Sequence, residues 1–117
     1  MDWELFFGTL LTPLLLLGFG WYWKINPPKK INHLYGYRTR RSMANQQIWD
    51  HANRIGAKML LWLGWVTLAI SVLLFLLVPT YAILIATFIL LIGIGMGMYW
   101  CETQLNRHYD RNGNPKP

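Results

Sequence analysis

Charge is scarce in this chain, and cysteine scarcer still. Only 14% of the 117 residues are charged, five of them acidic, while 54% are hydrophobic. An ordinary soluble domain carries about 25% charged residues, so that class is excluded. The single cysteine, Cys101, rules out an intramolecular disulfide framework and a cysteine-cluster metal site. Placed at the end of an apolar run, it reads as a passive buried thiol. The familiar catalytic signatures are missing too: no GxSxG, no HExxH, no Gly-rich phosphate loop and no paired carboxylate–histidine spacing. Nothing in the sequence asks for catalysis or for a cofactor. His33, His51 and His108 are scattered among loop, helix and tail, which reads as solvated histidines rather than a metal centre.

What fills the chain instead is long apolar runs. Residues 3–23 are interrupted only by Glu4, two threonines and Pro13, and residues 59–78 and 81–101 carry no charge. Each run holds about 20 residues, which at about 1.5 Å per residue crosses the roughly 30 Å hydrocarbon core of a bilayer. The expected fold is an all-α integral membrane domain of three transmembrane helices occupying residues 1–117. The first run is not a signal peptide in pattern, because its start is acidic (Asp2, Glu4) and Trp21-Tyr22-Trp23 stands where small residues would precede cleavage.

Orientation follows from the basic residues. Eight of the 11 Lys/Arg lie between Lys24 and Lys58, and Arg107, Arg111 and Lys116 make up the rest. By the positive-inside rule the loop 24–58 and the tail 102–117 are cytoplasmic and the N-terminus is outside. The net charge of +6 is then a means of meeting anionic lipid, with no direct nucleic-acid partner expected. Trp3 and Tyr81 would mark the outer interface, and Trp21, Tyr22, Trp23, Trp62, Tyr99 and Trp100 the inner one. Only Pro79-Thr80 separates the second and third runs, which forces a helical hairpin. In "LIGIGMGMYW", Gly93 and Gly97 have the spacing that lets helices approach closely in lipid. That spacing predicts packing within the chain, with a homo-oligomer seam as the alternative.

One stretch is polar: "INHLYGYRTRRSMANQQIWDHANRIG", from Ile31 to Gly56. The prolines of "KINPPKK" end the first helix, and Gly36 between two tyrosines marks an irregular turn. From Asn45 onward Ile48, Ala52, Ile55 and Met59 recur at helical spacing, with Asn45 or Ser42 able to cap the helix. This predicts a short amphipathic helix lying at the cytoplasmic interface, bending at Gly56 into the second span. Arg40 and Arg41 read as general positive charge. Arg38, between Tyr37 and Thr39, can present a planar fork to a carboxylate or phosphate. Asn53 needs a partner inside the bundle. Glu4 and Glu102 sit near span ends, as interfacial carboxylates or a polar membrane site.

The stretch resembles the signature of the SdpI family, named for an immunity protein against a sporulation-delaying toxin peptide in Gram-positive bacteria. The resemblance rests on Asn32, "YGYRT" (Tyr35 to Thr39), Ser42, Asn45, Trp49, Ala52, Asn53 and Arg54. Glu102, Leu105, Asp110 and Gly113 of the tail extend it. It implies a multi-pass protein of a bacterial cell membrane that resists or senses a membrane-active toxin peptide. In the founding system the receptor also holds a transcriptional repressor at the membrane. The founding protein has additional spans before the shared module, where this chain has one. Candidate binding residues are Asn32, Tyr35, Tyr37, Arg38, Thr39, Asn45, Trp49, Asn53 and Arg54. A reading from a different class is a small transporter or lipid-processing protein whose Arg38 cluster grips a phosphate or carboxylate.

Overall fold

The computed structural model describes residues 3–32, 34–110 and 113–116. Asp2, His33 and Arg111, weighed above, lie outside the described residues. Three helices follow one another: α1 (Trp3–Ile25), α2 (Gln46–Leu77) and α3 (Ala82–His108). All three are long and apolar enough to cross a membrane. Large apolar side chains such as Leu15, Leu73, Leu77, Phe88 and Leu91 stand exposed along their flanks. An aqueous monomer does not tolerate so continuous an apolar surface, so the fold is that of an all-α membrane protein.

Each break in the helices has a local cause. α1 runs out where Asn26 donates to the Tyr22 carbonyl and Pro27-Pro28 supply no further donors. α2 opens at Asn45, whose Oδ1 accepts from the Ile48 N–H at 2.8 Å and satisfies an otherwise orphaned donor. The α2–α3 hairpin closes through Tyr81 N–H to the Val78 carbonyl.

The separate interfacial helix is not there as such. Residues 46–58 are the first turns of α2, which runs unbroken for 32 residues. At about 1.5 Å per residue it is about 48 Å long, well beyond the roughly 30 Å of hydrocarbon it must cross. The extra turns project from the membrane at the loop end. Gly56 is not a bend. It is buried inside α2, where an added Cβ would lie 2.7 Å from the Trp23 ring. A glycine inside a helix costs about 1 kcal/mol, too little to interrupt a helix held by packing on both sides.

α2 is the central element, with α1 on one side and α3 on the other. Close approach of α1 and α2 depends on Gly20, set against Leu61, and Gly64, set against Leu17. The best-packed core is at the loop end, around Trp23, Ile48, Ala52, Cys101 and Leu105. Trp23 therefore does not mark the interface. Its neighbours Trp21 and Tyr22 are exposed.

Candidate functional site

The polar stretch folds over the loop end of the bundle as a cap, and Asn53 is its hub. Asn53 lies on the buried face of α2, 2% exposed. Its Oδ1 accepts from the Tyr37 backbone N–H at 2.7 Å and from Trp23 Nε1 at 3.2 Å. Its Nδ2 donates to the Trp49 carbonyl at 2.8 Å. One amide thus ties α1, the loop and α2 together. The chain can come this close only at Gly36, whose φ of +107° suits glycine and whose added Cβ would collide with Asn53 Oδ1. One turn earlier on α2, Trp49 is fully buried and donates from Nε1 to the Pro28 carbonyl at 2.8 Å.

Tyr37 carries the cap to α3. Its hydroxyl donates to Glu102 Oε1 at 2.9 Å, with the Met98 carbonyl 3.3 Å away. Burial, and then the hydrogen bond to Glu102, hold this phenol protonated well above the ordinary tyrosine range. Ser42 locks the turn that follows: its Oγ donates to the Tyr37 carbonyl at 2.8 Å and accepts from the Thr39 N–H at 2.8 Å, while its own N–H donates to Thr39 Oγ1. Earlier in the loop Asn32 Oδ1 accepts from the backbone N–H groups of Leu34 and Tyr35, and the Tyr35 hydroxyl donates to the Asn26 carbonyl.

The tail is tied in by two side chains. Asn45 Nδ2 donates to the Gly113 carbonyl at 2.8 Å, so this residue both opens α2 and holds the tail. Arg41, expected as general charge, has an ordered role. Its guanidinium donates to the carbonyls of Tyr109 and Asp110 at 2.7 and 2.8 Å. Tyr109 itself is buried, with its hydroxyl 3.4 Å from His51 Nδ1. The rings of His51 and His108 lie 4.9 Å apart, so two of the histidines expected to be scattered are neighbours. Nothing local in the sequence marked Arg41 or Tyr109, because their partners lie 58–69 residues away.

A smaller set faces outward. Arg38, Arg40 and Arg54 are exposed. Arg54 borders an open cleft of about 520 Å³ between the end of α1, the Pro27-Pro28 turn, α2 and Tyr109. Thr39, Arg40, Arg41 and Glu102 border a second cleft, of about 450 Å³. Gly93 and Gly97 lie along α2, where an added Cβ would stand 2.6 Å from Leu63 Cδ1 and from Met59 Sδ respectively. Glu4, in the first turn of α1, is at the opposite end of the molecule from Glu102.

A model described as the SdpI/YfhL protein family matches residues 29–99, more than half of the chain. The chain belongs to this family. The match takes in the cap from the loop onward, all of α2 and most of α3. The protein YfhL of Bacillus subtilis (strain 168), described as uncharacterized, is 49% identical over 51 residues, which is 44% of this chain and 46% of that protein. The match thus spans less than half the length of that relative. No solved structure matches. The family places the chain among multi-pass membrane proteins, as its three apolar helices do.

Proposed function

We propose that this SdpI-family protein protects its cell from a membrane-active toxin peptide, and that the cap signals the state of the bundle to a cytoplasmic partner. The observation that supports this reading is how the signature residues are used. Asn32, Tyr35, Tyr37, Thr39, Asn45, Trp49 and Asn53 all make hydrogen bonds within the chain. Those bonds join α1, α2, α3 and the tail at one place. Such an arrangement couples the relative positions of the helices, as a receptor's readout requires. Arg40 is exposed and offers a contact for an acidic face of the partner, and the surrounding positive charge meets anionic lipid.

The test is survival. Cells sensitive to a sporulation-delaying-type toxin are made to express the protein and are exposed to supernatant from a producing strain. Expressing cells are expected to survive, and Asn53→Leu at matched membrane level to lose protection. Arg40→Gln is expected to keep protection and weaken partner recruitment. Equal killing of expressing and control cells would remove the protective reading.

A further inference from the structure

The far half of the bundle holds a polar feature that the cap does not explain. Residues 8–13 of α1, 67–71 of α2 and 83–90 of α3 line a small, partly open cavity of about 20 Å³. These segments are near the start of α1, the end of α2 and the start of α3, remote from the cap. The cavity is bordered by Thr9, Thr12, Pro13, Thr67, Ser71 and Thr87. So many hydroxyls at one level of a membrane bundle are expensive unless each finds a partner.

Two of them do not. Among the described residues the Thr67 and Ser71 hydroxyls are buried with no hydrogen-bond partner, the residues themselves being 2% and 0% exposed. Two others have spent their proton locally, Thr9 on the Leu5 carbonyl and Thr87 on the Ile83 carbonyl. Thr9 and Thr87 therefore retain only acceptor capacity, while Thr67 and Ser71 retain a donor each. Pro13 adds one more acceptor. Having no N–H, it leaves the Thr9 carbonyl without its helical donor. The ring thus offers two donors and several acceptors around a space that fits one water, which needs roughly 10–15 Å³.

We infer that this pocket binds a single water molecule that joins α2 to α1 through Thr67, Ser71 and the Thr9 region. The water accepts from the two orphan hydroxyls and donates to two of the freed acceptors, so both buried hydroxyls are paired. A cation does not fit the same ring. The residues bordering the cavity include no carboxylate, and neutral dipoles alone do not repay the desolvation of an ion in hydrocarbon.

Two measurements on the full chain in bilayers decide it. In water-edited solid-state NMR, magnetisation from water is expected to reach Thr67 and Ser71 well before Leu73 and Phe88, their lipid-facing neighbours. Transfer as slow as to Leu73 and Phe88 would overturn the inference. The second measurement uses near-isosteric apolar variants, Thr67→Val and Ser71→Ala. If the hydroxyls hold a water, each variant breaks a satisfied network and lowers the melting temperature. If they are dry, each variant removes an unpaired polar group, and the melting temperature is unchanged or higher. An unchanged or raised melting temperature in both variants therefore also overturns it. Replacing sodium by choline in the buffer should leave the Thr67 and Ser71 signals unmoved, and a sodium-dependent shift would replace the water by a cation.

Discussion

At the scale of single residues, the cap depends on groups whose partners are each other. Asn53→Leu keeps the volume but strands the Tyr37 N–H and the Trp23 indole N–H. Each buried donor left unpaired costs roughly 1–3 kcal/mol, so for the two a loss of about 2–6 kcal/mol is expected, read as a lower melting temperature in detergent. Arg41 gives a more local effect. Arg41→Gln removes two charge-assisted bonds to the Tyr109 and Asp110 carbonyls, and hydrogen exchange at the tail amides should rise about tenfold or more. Arg40→Gln, at an exposed neighbour, should leave those amides unchanged. Tyr37 adds a pH dependence with a definite sign. Its pKa is raised on folding, so its contribution is fully present below about pH 10, the ordinary tyrosine value, and is lost as pH rises further. Thermal melts of the parent protein should therefore fall more steeply above about pH 10 than those of Tyr37→Phe.

At the scale of helices, close approach decides stability, because lipid gives apolar side chains no reason to prefer one another. Gly97→Leu would drive a side chain into Met59, and Gly64→Leu would drive one into Leu17 and its backbone. Both should lower the melting temperature, Gly64→Leu more, since it meets backbone as well as a flexible side chain. Similar behaviour of Gly64→Leu and the parent would remove the close α1–α2 contact. The sequence made Gly93 and Gly97 visible because they are four residues apart on one helix. The glycines that fit α1 to α2 are Gly20, Gly56 and Gly64, on two helices and without that spacing. Only the docked pair makes a pattern of them. The same limit applied to α2 itself: polar residues from Gln46 to Lys58 suggested a separate helix, whereas their polarity reflects emergence from the membrane.

For the whole molecule, the three spans were legible from apolar run length, and Asn45 as the start of α2 from its residue type. The cap was half legible. Its residues are recognisable as a set, with Asn53 needing a partner inside the bundle and Asn45 capping α2, but no sequence pattern reveals that Tyr37 meets Glu102 across 65 residues. Orientation rests on charge alone: all 11 Lys/Arg fall in the loop and the tail. A reporter fused after Pro117 is expected to be active only if it functions in the cytoplasm. Activity of an extracytoplasmic reporter at that position would invert the molecule and move the proposed partner to the other side.

The unbroken course of α2 has a mechanical consequence. A helix bent at Gly56 would act as a hinge and absorb disturbances arising in the membrane. A continuous one is a lever arm, anchored at one end by the Pro79-Thr80 turn and at the other by Asn45. Tilting a rod of about 48 Å by about 5° sweeps its tip through about 4 Å. That exceeds what a hydrogen bond survives, so a modest displacement by anything wedged beside the far end would be enough to unlatch Asn53 from Tyr37 and Trp23 and release the tail.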